Sequence, residues 1–203
     1  MITIIDYGMG NLGSIQNIIK KIGHQSQISS DLDTIAKANR IILPGVGNFD
    51  SAMNNLKNLN LIEVLKAKAN GGTPLLGICL GMQLLANSSE EGVEEGLGLI
   101  PGRVKKFNLQ SPYKIPHMGW NNVNYTKNCI LYKDFDRYEE TRFYFVHSYY
   151  FECTNPDNIA GTTLYSEPFT SSIYSNTIFG AQFHPEKSHK YGMLLLKNFI
   201  ELI

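Results

Sequence analysis

The chain has 203 residues, 43% of them apolar, and its 18 basic residues balance 18 acidic ones. That length suits one domain, 1–203, able to bury about 70% of its extended surface with no disulfide or metal staple. The composition excludes long disorder and collagen-like repeats, and the even charge balance argues against a nucleic-acid or anionic-lipid partner.

In chain order, residues 2–5 are a short β-branched run. Residues 12–22 place Ile15, Ile18, Ile19 and Ile22 at helical spacing, with Gly23 set to stop them. A weak strand over 25–29, a short helix over 31–38 and a strand over 40–43 ended by Pro44-Gly45 follow. Asn60 is a candidate cap for a helix carrying Leu61, Ile62, Val64 and Leu65. Gly71-Gly72 breaks that helix before a buried strand, 75–78, and a helix over 80–86. Repeated strand–helix units predict an α/β fold: a doubly wound, mostly parallel sheet with helices on both faces. From about Leu99 the texture turns to short β-rich runs, 103–107, 120–125, 142–151, 159–164, 171–174 and 178–183. These predict an antiparallel extension in the C-terminal half, with Ser175-Asn176 as a hairpin turn. An amphipathic helix over 191–203 closes the chain.

No stretch approaches the roughly 18 uncharged apolar residues of a membrane span. The start, Met-Ile-Thr-Ile-Ile-Asp, lacks the basic region of a signal peptide. Three cysteines (Cys79, Cys129, Cys153) without a CxxC argue against a disulfide framework or a zinc site, and fit a cytoplasmic protein. No metal or cofactor is expected. The charged fraction, 18%, is below the roughly 25% of average proteins, a hint that a partner covers some surface.

Two segments have motif character. Gly8-Met9-Gly10-Asn11-Leu12-Gly13 has the GxGxxG spacing of a dinucleotide site, with Asp31 and Asp33 downstream. Asp6-Tyr7 loosens its link to the strand, however, and Asp31 doubles as a helix cap. The other reading is an exposed turn at the carboxyl edge of the sheet. Gly77-Ile78-Cys79-Leu80-Gly81 is more specific. A strand ends and a helix begins at Cys79, the nucleophile-elbow arrangement with sulfur in place of a serine hydroxyl. Glycines on both sides let strand and helix approach, and a helix N-terminus favours thiolate. The N–H after the nucleophile can hold an oxyanion.

A thiolate nucleophile needs a base. Among five histidines, His184 has the most compact acid–base setting, Gln182-Phe183-His184-Pro185-Glu186. In extended chain, residues i and i+2 share a side, which would set Glu186 beside His184 to orient it. The order Cys, His, Glu differs from that of α/β-hydrolases and weakens a dienelactone-hydrolase-like reading. Pro44-Gly45-Val46-Gly47, after the third parallel strand, offers further N–H donors.

Together these segments resemble the class I (triad) glutamine amidotransferases. Further stretches carry the likeness: Gln83 after the elbow, Pro116-His117-Met118-Gly119-Trp120-Asn121, Phe145-Val146-His147-Ser148-Tyr149 and Lys187-Ser188. They point to the branch that serves imidazole glycerol phosphate formation in histidine biosynthesis. The resemblance implies a Cys79, His184, Glu186 triad that hydrolyses glutamine through a thioester. It implies oxyanion and substrate contacts from Val46, Gly47, Leu80, Gln83, Ser148 and Tyr149. It also implies a heterodimer with a separate (β/α)₈-barrel cyclase subunit that takes the ammonia, meeting it through Gly10, Asn11, Trp120 and Lys187. The stretch Ser188 to Met193 departs toward paralogues that feed cell-surface sugar synthesis. A stand-alone thiol hydrolase and a dinucleotide-binding module are the remaining alternatives.

Overall fold

The computed structural model describes every residue except Gln110. The first half alternates strand and helix: β1 (Ile2–Ile5), α1 (Leu12–Lys21), β2 (Ser26–Ser29), α2 (Leu32–Ala36), β3 (Arg40–Leu43), α3 (Phe49–Asn58), α4 (Leu61–Asn70), β4 (Leu75–Ile78) and α5 (Leu80–Gln83). The second half is mainly strands: β5 (Ser88–Ser89), β6 (Gly102–Lys106), β7 (His117–Asn122), β8 (Asn124–Tyr125), β9 (Arg142–His147), β10 (Tyr149–Cys153), β11 (Ile159–Tyr165), β12 (Glu167–Ser175) and β13 (Ile178–Ala181). Helix α6 (His189–Leu202) follows.

The main sheet runs β2-β1-β3-β4-β13-β12-β10-β6-β5, with β11 and β8 attached alongside β12. From β2 to β13 all neighbours are parallel, and from β13 through β12 and β10 to β6 they are antiparallel. A separate antiparallel ribbon pairs β7 with β9. The edge strand β2 is polar and half-buried, whereas the inner parallel strands β1, β3, β4 and β13 are buried on both faces, as a doubly covered sheet requires. Their side chains alternate between two cores. Ile2, Ile4, Ile42, Leu76 and Ile78 face α1 and α6, whereas Ile5, Ile41, Leu43 and Leu75 face α2, α3 and α4. The accessible surface, 9,383 Å², is close to the roughly 9,600 Å² expected of a compact chain of this mass.

Local sequence accounts for several boundaries. Asp31 caps α2 by accepting from the Thr34 N–H at 2.8 Å. The β12–β13 hairpin turns at Asn176, whose φ of +51° suits asparagine. Other expectations need correction. Asn60 does not cap α4 through its side chain; it sits in the left-handed region at φ +57°. Helix α5 spans four residues, not the seven expected over 80–86, because the chain turns away after Gln83. The run 142–151 is two strands in two sheets, broken at Ser148. Helix α3 was not anticipated. Its buried Phe49, Ala52, Met53 and Leu56 have helical spacing, and Asn48 accepts from the Ser51 N–H, but asparagines and charges dominate its exposed face.

Candidate active site

Cys79 is the single residue between β4 and α5. Its φ of +54° and ψ of −112° lie where a side chain is strained. Its N–H donates to the Ala181 carbonyl at 2.7 Å, which ties the elbow to the neighbouring strand. The flanking glycines are demanded by contact. A Cβ on Gly77 would sit 2.5 Å from the Gly81 carbonyl oxygen, and one on Gly81 would run into the Leu43 carbonyl.

β13 lies beside β4 in parallel register, Ala181 opposite Ile78, so the segments leaving both strands emerge side by side. This brings His184 to Cys79. The sequence predicted extended chain through Glu186; instead Pro185–Lys187 forms a 3₁₀ turn. The turn still returns Glu186 to His184, with Oε1 2.8 Å from Nδ1 and both side chains almost fully buried. The Ser188 hydroxyl fastens this turn, donating to the His184 carbonyl at 2.6 Å and accepting from the Tyr144 N–H at 3.0 Å.

Burial acts to lower the His184 pKa, but the Cys79 sulfur and Glu186 carboxylate outweigh it and push it up to about 10. The imidazole is therefore held as a cation near neutral pH. Its buried Nε2 makes no other hydrogen bond, and the Cys79 sulfur is the first of the groups that raise its pKa. Gln182, fully buried, donates its side-chain amide to the Cys79 sulfur at 3.8 Å. Its role was not read from the sequence, although it opens the Gln182–Glu186 segment.

Cys79 opens onto a cleft of about 340 Å³ lined also by Val46, Gly47, Leu80, Gln83, Glu91, Pro116 and Val146 to Tyr149. All six residues expected around the nucleophile therefore lie together. The Pro44–Gly47 loop is packed at Pro44 and Gly45 and exposed at Val46 and Gly47. The Tyr7 hydroxyl donates to the Pro44 carbonyl at 2.6 Å, and Gly45 has no room for a Cβ against Tyr7, Leu80 and Gly81. Val46 is 44% exposed, and Gly47 holds a φ of +123° that favours glycine. The Gln83 amide nitrogen uses both its hydrogens, donating to the Tyr149 carbonyl and the Gln182 Oε1, both at 3.0 Å. Glu91 is an unforeseen lining residue; its carboxylate accepts from the Phe49 N–H at 2.8 Å.

The residues expected to meet a partner gather beside this edge. Trp120, expected to begin a β-rich run, lies within strand β7, where it is 44% exposed and stacks on His189. Lys187 lies over the Tyr144 ring, which also borders Trp120. Gly10 and Asn11 lead into α1, which packs against the Pro185–Lys187 turn. A Cβ on Gly10 would press on Pro44 at 3.0 Å, so the Gly8–Gly13 turn packs against the cleft loop. Cys129 and Cys153 are free thiols whose pKa values burial pushes up to about 11 and about 12. Among the described residues, no helix is long and apolar enough to cross a membrane.

The chain matches the family glutamine amidotransferase class-I over residues 3–202. Imidazole glycerol phosphate synthase subunit HisH 2 of Methanococcus maripaludis is 57% identical over 203 residues, covering 99% of both chains. The HisH subunit of Bdellovibrio bacteriovorus is 45% identical over 206 residues, covering 100% of both. A crystal structure described as a glutamine amidotransferase superposes with a TM-score of 0.77 at 14% identity, covering 100% of this chain and 98% of that one, a likeness of fold.

Proposed function

We infer the chemistry from one premise: the chain belongs to the class-I glutamine amidotransferase family. It is the glutaminase subunit of an imidazole glycerol phosphate synthase, an enzyme of histidine biosynthesis that works with a partner cyclase subunit. The observation that carries the residue-level mechanism is the approach of the Cys79 sulfur, which opens onto the cleft, to the buried His184–Glu186 pair behind it.

In this reading the Cys79 thiolate attacks the side-chain amide carbon of glutamine. The carbonyl π bond becomes an oxyanion, held by the N–H groups of Leu80 and the Val46–Gly47 loop. His184 gives its Nε2 proton to the amide nitrogen, the C–N bond breaks and ammonia leaves, with the thioester remaining. His184, now neutral, takes a proton from water as the water attacks the thioester, and glutamate departs with the thiolate restored. Glu186 fixes the imidazole through Nδ1 and favours its cation. Gln83, Ser148 and Tyr149 form the substrate wall.

The whole chain, 1–203, acts as one domain in the cytoplasm, and its partner is a (β/α)₈ barrel seated on Trp120, Lys187, Gly10 and Asn11. The exposed Trp120 ring, stacked on His189 beside the Lys187–Tyr144 contact, supports this face. The loop from Pro44 to Gly47, exposed at Val46 and with glycines on both sides of it, is the element that partner binding would turn to aim an N–H at the oxyanion. Removing such a donor costs about 100- to 1,000-fold in rate, so the isolated subunit should be nearly idle and the loaded complex faster by about that factor.

The test is glutamate release by the purified chain alone and with a cyclase subunit plus its substrate, together with rescue of a histidine auxotroph. Stimulation and growth are the expected results. Full turnover by the chain alone would remove the switch. Glutaminase activity without rescue would move the acceptor to another pathway, such as surface-sugar synthesis.

A further inference from the structure

We propose that His117 and His147 are positioning residues that fasten the β7–β9 ribbon to the wall of the glutamine cleft. The proposal rests on the glutaminase reading of that cleft.

The ribbon passes into the main sheet at two single residues, Val123 between β7 and β8 and Ser148 between β9 and β10. β9 ends at His147, β10 begins at Tyr149, and Ser148 is the joint. The His147 ring closes across that joint, its Nδ1–H donating to the Tyr149 carbonyl at 2.7 Å. Because a carbonyl only accepts, Nδ1 must carry the proton, and Nε2 of the neutral ring must accept. It accepts from Nδ1–H of His117, 3.0 Å away and directly opposite on β7. His117 Nε2 is then an acceptor in turn, facing the Asn121 amide at 3.3 Å. That amide also donates to the Leu164 carbonyl at 3.0 Å. Each ring is thus left with one tautomer.

Aromatic side chains keep both imidazoles neutral. Tyr165 and Phe145 lie against His117 at 4.1 and 4.8 Å between ring centroids, and Phe107 and Phe169 flank His147 at 5.3 and 5.2 Å. Burial lowers the pKa of His117 to about 4 and of His147 to about 3, so the direction of the chain of protons is fixed near neutral pH.

On the cleft side the Tyr149 carbonyl also receives the Gln83 amide, which reaches Gln182 and through it the Cys79 sulfur. An unbroken series of hydrogen bonds therefore runs from Asn121, one residue from Trp120, to the nucleophile. Phenylalanine is close to the imidazole in shape, but replacing His147 alone leaves the buried His117 Nδ1–H without its acceptor and costs stability. What the imidazoles add is direction: they set the Tyr149 carbonyl and with it the Ser148–Tyr149 backbone that borders the substrate.

The test uses the complex with the cyclase subunit and compares His147→Phe, His147→Asn and His147→Gln. An asparagine amide can take the place of Nδ1 and keep the bond to Tyr149; a glutamine amide reaches the Nε2 position and loses it. The Phe and Gln variants are expected to raise the KM for glutamine about tenfold while kcat falls less than about threefold, and Asn to stay within about threefold of wild type in both. Cys79 labelling by iodoacetamide should change less than about twofold in all three, because the ring does not touch the sulfur. Equal KM values for the Asn and Gln variants, whether normal or impaired, would overturn the proposal. This contrast stands even if the Phe variant fails to fold. A parallel Cys79→Ala control separates the two levels. Dead Cys79→Ala with indifferent His147 variants overturns the positioning role alone, whereas active Cys79→Ala overturns the glutaminase assignment beneath it.

Discussion

His184 on one side and the His117–His147 pair on the other are all buried, with 2%, 3% and 6% of their surface exposed, yet burial leaves them in opposite states. His184 faces a sulfur and a carboxylate, and these hold it cationic. His117 and His147 face aromatic rings, a carbonyl and each other, and they stay neutral; the charge on His184 adds to the lowering at His147. Burial alone disfavours an imidazolium. The partner decides the rest, so the same residue type moves protons at one place and holds geometry at the other.

The largest way to break the comparison is to remove the sulfur. Cys79→Ala should lower glutamine hydrolysis by about 10⁵-fold or more, as loss of a nucleophile does in other triads, while added ammonia still supports synthesis by the complex. Steady-state glutamate release and ammonia-fed synthesis check both halves.

Next comes the cationic site itself. His184→Asn should approach the same loss, and Glu186→Gln should cost less, on the order of 10³- to 10⁴-fold, because it removes orientation and charge but leaves the proton donor. Departure of ammonia needs the protonated ring, so activity should fall as pH rises through about 10 in the wild type. In Glu186→Gln that limb should move to lower pH, since the carboxylate is one of the groups raising the His184 value. A pH–rate profile on both proteins measures this.

A stability measurement sharpens the contrast. The folded pKa of His184 lies above the unfolded value of 6.5, so its contribution is fully present below about 6.5 and is lost as pH rises toward about 10. The folded values for His117 and His147 lie below 6.5, so their contribution is present above 6.5 and is lost as pH falls through about 4 and about 3. Urea denaturation at successive pH values should show acid destabilisation that is shallower in His147→Phe than in wild type. An unchanged acid limb would mean that the pair does not titrate as a buried neutral unit.

The smallest effect is expected at the partner face. Trp120→Ala should weaken assembly with the cyclase by about 2 kcal/mol, as for an aromatic anchor. It should leave the isolated chain's melting temperature nearly unchanged, because the ring is 44% exposed. Titration calorimetry and a thermal melt read the two separately.

Much of the site is legible in the sequence because its geometry is local. Gly77-Ile78-Cys79-Leu80-Gly81 specifies an elbow: only glycines permit the approach of Gly77 to Gly81 and of Gly81 to Leu43. His184 and Glu186 are two residues apart, and their pairing survives whether the intervening chain is extended or a 3₁₀ turn. The two-sided apolar strands likewise announce a parallel sheet covered on both faces. The break at Ser148 is less legible, since the run of residues 142–151 is continuously β-prone and no glycine or proline marks its passage from ribbon to sheet.

What the sequence by itself determined, then, is the set of short-range devices: the elbow, the acid–base pair, the glycine loop and the strand–helix alternation of the first half. The tertiary structure alone decided which of these meet. Cys79 and His184 become neighbours because β13 enters the sheet beside β4, a pairing set by burial across the whole chain. Gln182, His117 and His147 acquire their roles only there, because the state of a buried polar side chain depends on the groups that surround it in space, and those come from distant segments.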